Sequence, residues 1–187
     1  RHCLYHTKNI CRACEKLCEA KAIDFNQKPQ EVEVRVGAII FATGFEEYKP
    51  VDIVQYGYGR YPNVITQLEL ARLFDPSGPT EGKLTRPSDG KPATNILMIQ
   101  CVGSRDENYY PYCSTVCCMA ALKHAQLIKS EQYPDAQITV CYIDLRAAGN
   151  KGYEEYYKQT QDLGVRFIRG KVAEIWEDPT TRDLSVR

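Results

Sequence analysis

The stretch Asn95-Ile96-Leu97-Met98-Ile99-Gln100-Cys101-Val102-Gly103-Ser104-Arg105 decides how the rest of the chain is read. A short, continuously apolar run that ends in a Gly-Ser turn is the signature of a buried strand. Downstream, Ser114 is placed to cap a helix over about 114–130, with Val116, Ala120, Leu122, Leu127 and Ile128 on its apolar side. Gln137 to Ile143 reads as a second strand, ended by Asp144, and Tyr153 to Leu163 as a helix stopped by Gly164. Val165 to Ile168 and Lys171 to Trp176 read as further strands around Gly170. Strand, helix, strand, helix, strand is the order of a parallel α/β unit with right-handed crossovers.

Working back toward the N-terminus, residues 76–94 carry Pro76, Gly78, Pro79, Gly82, Pro87, Gly90 and Pro92 and read as a connector. Thr66 followed by Glu69 is a capping-box pattern that opens a helix through about Phe74. Residues 45–62 mix prolines and glycines with four tyrosines and read as an extended loop. Glu31 to Val36 alternates strictly, and Gly37 to Ala42 is continuously apolar, so a half-exposed strand leading into a buried one is expected, ending at Thr43-Gly44. Residues 1–30 are polar and cysteine-rich, as a lobe organised by ligands would be.

Composition narrows the function classes. Twenty-four basic residues offset 24 acidic ones, so no net field recruits nucleic acid or anionic lipid. No run reaches the roughly 18 apolar residues of a membrane helix. The opening Arg1-His2-Cys3 has neither an initiating Met nor an apolar leader, so an excised piece of a longer cytoplasmic protein is expected.

Nine cysteines, in a chain of 187 residues, set the chemistry. Eight form two tight sets and Cys141 stands apart. Adjacent Cys117-Cys118 is poor disulfide material, because a bridge between neighbours restrains almost no loop. Two sets of four point instead to metal. The first is Cys3-x7-Cys11-x2-Cys14-x3-Cys18, whose last three members match the tail of the bacterial ferredoxin run. Its first spacer is longer than in that run, and Glu19 stands where proline is usual, so Cys18 could serve a cluster outside this chain. Structural zinc, with His2 and His6 nearby, and unligated thiols are the alternatives. The second set is Cys101-x11-Cys113-x3-Cys117-Cys118. With Cys113 at the helix cap, Cys117 and Cys118 one turn inside, and Cys101 at the strand end, all four converge on the C-terminal edge of the sheet. Ligands bind there in doubly wound folds, and a helix N-terminus there favours thiolates. The glycine spacing of a dinucleotide fingerprint is absent after Gln100. A buried, inert, cysteine-rich helix is the bland alternative.

Several stretches then resemble one family, the A subunits of heterodisulfide reductases, which are iron–sulfur flavoproteins. Val36 to Phe45 resembles the strand and Ala-Thr-Gly turn of flavoproteins with two dinucleotide domains. Tyr56 to Thr66, Arg86 to Lys91, Ile99 to Asp106, Tyr112 to Met119, Gly152 to Tyr157 and Gly164 to Gly170 resemble the heterodisulfide reductase family specifically. The resemblance implies an α/β fold, a thioredoxin-reductase-like (Rossmann-type parallel sheet) unit, with a small ferredoxin-like segment at the N-terminus. On that reading residues 1–30 bind a cluster, 31–94 belong to the FAD domain, and 95–187 form a Rossmann-like domain whose cysteines replace the fingerprint. It implies one or two [4Fe–4S] clusters held by Cys3, Cys11, Cys14 and Cys18 and by Cys101, Cys113, Cys117 and Cys118. FAD in the full-length protein would lie against Ala42, Thr43, Gly44 and Phe45. The implied role is that of an oxidoreductase component, inactive by itself as this piece, relaying electrons between FAD and clusters. Its partners would be the other subunits of the complex and electron carriers. Within the resemblance, a close relative from sulfate reducers, passing electrons towards quinone, is the open alternative. A pyridine-nucleotide-disulfide reductase, for which Cys11-Arg12-Ala13-Cys14 is formally a redox pair, and a structural zinc module are the competing readings.

Overall fold

A computed structural model describes residues 2–147 and 151–187, which fall into two compact units, Arg1–Gly44 and Phe45–Arg187.

The N-terminal unit holds two single-turn helices, α1 (Leu4–Lys8) and α2 (Ala13–Leu17), neither with a buried residue. Asn9 closes α1 in the left-handed conformation at φ 54°, a role its short side chain suits. Packing comes from aromatics. The rings of Tyr5 and Phe25 lie 4.1 Å apart, and the Arg12 guanidinium sits 5.5 Å from each. The strands expected over 31–36 and 37–42 do not form: residues 31 to 44 contain no strand. Ile40 and Phe41 are 90% and 86% exposed. Apolar alternation supplies a face to bury, but a strand also needs a ladder partner, and the described part of this unit contains no strand to provide one.

The second unit begins with the loop expected over 45–62, tightened by two 3-10 turns, Pro50–Asp52 and Val54–Tyr56. Tyr56 is buried and its hydroxyl donates to the Val172 carbonyl at 2.9 Å. Helix α3 (Gln67–Phe74) starts with the capping box that the sequence announces. The Glu69 amide donates to Thr66 Oγ1 at 3.2 Å, and the Thr66 amide donates to Glu69 Oε2 at 2.8 Å.

Three parallel strands form the sheet: β1 (Asn95–Ile99), β2 (Gln137–Tyr142) and β3 (Arg166–Arg169), side by side in that order. Ile96 is paired with Ile138, and Cys141 with Ile168. The crossovers carry α4 (Cys117–Leu127) and α5 (Lys151–Asp162). On one face Ala121, Ala125 and Ile128 of the α4 segment pack with Met98, Ile138 and Val140, joined by Leu70 and Leu73 of α3. The other face gathers Ile53, Tyr56, Cys141, Val172 and Ile175. Each large apolar side chain among these, fully buried, contributes about 1.5–3 kcal/mol.

Several local expectations are corrected. Helix α4 starts at Cys117, not Ser114, because Thr115 stands at φ 63°, a left-handed value no right-handed helix accommodates. It ends at Leu127 and runs into a π turn over Ile128–Gln132. The strand expected over 171–176 is displaced to β4 (Ile175–Glu177), which pairs antiparallel with β5 (Leu184–Val186), a strand the sequence does not announce. His124, which by sequence alone reads as a surface histidine or a proton relay, is buried. Its Nδ1 hydrogen-bonds Gln67 Oε1, and its ring lies 5.7 Å from that of Phe74. Among the described residues no helix is long and apolar enough to cross a membrane.

Candidate functional site

In a parallel sheet the loops leaving the strands gather at one edge, and the helices that follow point their N-termini there. Cys101 leaves β1 at that edge, Cys117 and Cys118 open α4 beside it, and Asp144 leaves β2 there. The spacer of eleven residues between Cys101 and Cys113 doubles back on itself. The Tyr110 amide donates to Gly103 O at 3.1 Å, and the Arg105 amide donates to Tyr112 O at 3.0 Å. That ladder returns Cys113 toward the strand end. Cys101 at φ 59°, Arg105 at φ 55° and Thr115 at φ 63° are left-handed without being glycine, each costing on the order of 1–3 kcal/mol. Gly103, at φ 70°, has no such cost, and a Cβ there would collide with the Tyr48 ring.

The thiols are not equivalent. Cys117 is drawn well below the ordinary thiol value, first by a hydrogen bond from the Cys118 thiol. The Ser114 hydroxyl (Oγ to Sγ 3.1 Å) and the first amides of α4 outweigh the opposing effect of burial. Cys118 is pushed up correspondingly, since its proton is held by Cys117 and its side chain is buried. Its sulfur lies 3.9 Å from the Asp144 carbonyl and accepts from the Arg146 amide at 3.4 Å. Cys101 is raised by burial and by the charge at Cys117, against the pull of Arg105. Cys113 accepts from the Thr115 amide at 3.3 Å. Cationic side chains surround the edge: Arg105 pairs with Asp144 at 2.8 Å, Arg169 with Asp144 at 3.3 Å, and Lys171 with Asp106 at 2.9 Å.

The second set is thus assembled on one sheet edge and coupled electrically, yet not closed on a point. Among the described residues no three His, Cys, Asp or Glu side chains converge tightly enough to hold a metal ion. A tetrahedral zinc ion needs all its sulfurs ~2.3 Å from one centre. A cubane gives each thiolate a separate iron, so four thiols around an edge suit it better. The donor chemistry fits a cluster: one sulfur is favoured as thiolate, Cys118 is hydrogen-bonded to it, Cys101 feels the charge of Cys117 and Cys113, and Gln100 Nε2, Arg105 Nη1 and Tyr48 Oη are buried without hydrogen-bond partners.

The first set is not brought together. Cys3 stands before α1, Cys11 in the loop at φ 73°, Cys14 within α2 and Cys18 just after it. The first three are exposed, and Cys18 Sγ accepts from the Ala22 amide at 3.4 Å. All nine cysteines are free. Ala42, Thr43, Gly44 and Phe45 are exposed, with Gly44 at φ 79°. Two concavities, one bounded by His6, Phe25 and Val32 and the other by Lys129, Thr139 and Arg166, do not include them.

Sequence reasoning misses the polar frame: Arg105 and Arg169 on Asp144, the Arg146 amide on the Cys118 sulfur, and Tyr48 over Gly103. In sequence Asp144 is open to reading as a helix cap or a ribose-binding acid; its carboxylate is instead engaged by two arginines.

Fold and site together define a parallel α/β domain with a thiol-lined sheet edge at the C-terminal ends of its strands. No family model matches the chain. It is 56% identical, over 90% of its length, to the A subunit of the H(2)/formate:CoB-CoM heterodisulfide,ferredoxin reductase of Methanococcus maripaludis. It is 56% identical over 89% of its length to the first iron-sulfur A subunit of the CoB–CoM heterodisulfide reductase of Methanopyrus kandleri. The iron-sulfur A subunit of the same enzyme in Methanocaldococcus jannaschii is 52% identical over 95% of it. Over this span the chain belongs to the A subunits of heterodisulfide reductases. It covers about a quarter of the length of those relatives: 26%, 25% and 27%.

Proposed function

We propose that this chain is the part of a heterodisulfide reductase A subunit that holds a [4Fe–4S] cluster at Cys101, Cys113, Cys117 and Cys118, on an electron route between flavin and the partner subunits. The observation that carries the reading is the single sheet edge shared by these four thiols, with Cys117 stabilised as a thiolate at the start of α4. The relatives' names add the iron-sulfur and heterodisulfide terms. A bound cluster supplies reversible one-electron storage. The protein residues supply the rest. Ser114 and the amides of α4 hold a negative sulfur, the left-handed turns at Cys101 and Thr115 fix the approach of the loops, and Leu122 and Ala121 beneath keep water out. Cys3, Cys11, Cys14 and Cys18 form the second proposed site, one that assembles around its ligand. The flavin end, at Ala42, Thr43, Gly44 and Phe45, rests on the sequence resemblance alone.

Anaerobically purified protein should be brown and contain acid-labile sulfide, with about four iron atoms per cluster. Cys118→Ser should abolish one of two EPR signals and leave the other intact. Stoichiometric zinc without sulfide would overturn the reading.

A further inference from the structure

Cluster chemistry explains the thiols at the sheet edge but not the amide that precedes them. Gln100 continues β1 by one residue, its backbone N–H bonded to the Cys141 carbonyl at 2.9 Å. Its side chain is buried at 5% exposure, and Nε2 has no hydrogen-bond partner. A buried donor left unpaired costs about 1–3 kcal/mol, which polar side chains normally avoid. Successive side chains of a strand alternate between faces, so Gln100 shares the face of Met98. That is the face covered by α4, and the end of β1 is the edge at which α4 begins with Cys117 and Cys118. The amide donor therefore lies on the α4 side of the sheet, not on the side of Ile53 and Tyr56.

Arg105 provides a second donor on the same turn. Its Nη2 donates to Asp144 Oδ2 at 2.8 Å, while Nη1 is buried and unpaired. The ion pair with Asp144, which Arg169 braces from the other side, fixes the guanidinium plane. One arm of the fork is thus committed to Asp144, Nη1 has no hydrogen-bond partner, and the guanidinium already interacts with the Cys101 thiol. Of the six buried side-chain polar atoms without a partner among the described residues, Gln100 Nε2, Arg105 Nη1 and Tyr48 Oη belong to residues in or packed on the Cys101 turn. Such a concentration of donors suits sulfur atoms carrying negative charge.

We propose that Gln100 and Arg105 are positioning residues that donate N–H hydrogen bonds to sulfurs of the cluster held at Cys101, Cys113, Cys117 and Cys118, and thereby raise its reduction potential. The inference rests on the cluster reading above. Reduction adds negative charge to the cluster, and donors aimed at its sulfurs stabilise the more negative state. No ligand is gained or lost; the residues set how readily one electron enters.

The test uses the full-length protein, anaerobically purified, with EPR-monitored redox titration. Gln100→Met keeps length and burial and removes the donor; Arg105→Gln removes the fork. Each variant should need a lower potential to reduce the cluster whose signal Cys118→Ser removes. Roughly a tenfold fall in the reduced-to-oxidised ratio at fixed potential is expected, which is about 59 mV for a one-electron couple. Other clusters should titrate unchanged. Should a variant lose its cluster, the unaltered protein carrying 15N-glutamine or 15N-arginine supplies a second readout. Pulsed EPR of the reduced cluster should then show side-chain nitrogen coupling. Full cluster occupancy with unshifted potentials, or no nitrogen coupling, overturns this inference alone. Absence of any cluster at this site in the unaltered protein overturns the cluster reading itself.

Discussion

A thiol at the first position of a helix meets N–H groups that the helix leaves unpaired, and Cys117 is placed to use them. Further along α4, His124 answers to the opposite physics. Burial lowers its proton affinity, and the neighbouring Lys123 charge lowers it further. Its Nδ1 is tied to Gln67 of α3, and Phe74 lies against its ring. Unfolded, the imidazole takes a proton near about pH 6.5, while the folded site resists it. Protons thus favour the unfolded chain. The full contribution of neutral His124 is present above that value and is lost as pH falls through it toward the depressed folded value. The urea midpoint should drop between about pH 7.5 and 5.5 in the unaltered chain and drop less in His124→Gln. Equal slopes for the two would disprove the assignment. Sequence periodicity does not separate this histidine from a surface one, because its burial depends on α3 packing across α4.

Local signals are legible where the chain satisfies itself within a few residues. Thr66 and Glu69 sit three apart, and their reciprocal hydrogen bonds need nothing else. Thr66→Ala should cost about 1 kcal/mol of stability, read as a lower denaturation midpoint. Ser114 carries the same kind of signal and misleads, because its hydroxyl serves the Cys117 sulfur and no backbone amide of α4. A cap and a thiolate donor look alike in sequence. The run from Glu31 to Ala42 misleads for a different reason: alternation records a pleat, whereas pairing is a property of neighbours. The loop of 101–113 can be read for its cysteines but not for its geometry, which depends on left-handed residues other than glycine. At Gly103 that geometry tolerates no side chain, given φ 70° and the Tyr48 ring against it. Gly103→Ala should therefore displace Cys101 and reduce the iron bound at Cys101, Cys113, Cys117 and Cys118, with the unfolding midpoint of the domain changing less than the iron content. Unaltered iron content would show that the turn tolerates the methyl group.

The two units differ in what holds them together. Phe45–Arg187 contains a continuous core around α4 and the three-stranded sheet, with Leu122 and Val140 fully buried, so its fold is complete before any metal binds. Arg1–Gly44 has two single-turn helices without a buried residue and a small cluster of Tyr5, Phe25 and Arg12. Isolated helices of one or two turns are far below the ~12–15 residues that remain stable in water. Where ligands must be gathered by folding, the binding free energy of the metal becomes folding free energy. Hydrogen exchange before and after anaerobic reconstitution with iron and sulfide should therefore divide along the chain. Amides between Cys3 and Ala22 should gain protection by orders of magnitude on loading, because α1, α2 and the left-handed turn at Cys11 gain the anchor they lack. Amides of β1 and β2 should be slow in both states, since their ladder and the packing of Ile138 and Val140 do not depend on the thiols. Between these extremes, protection should change modestly at 101–118, where the loops are already folded and only the sulfurs must close. Strong protection of Cys3 to Ala22 in the metal-free protein would mean that this segment folds without a ligand, and its four cysteines would then lose their claim to a cluster.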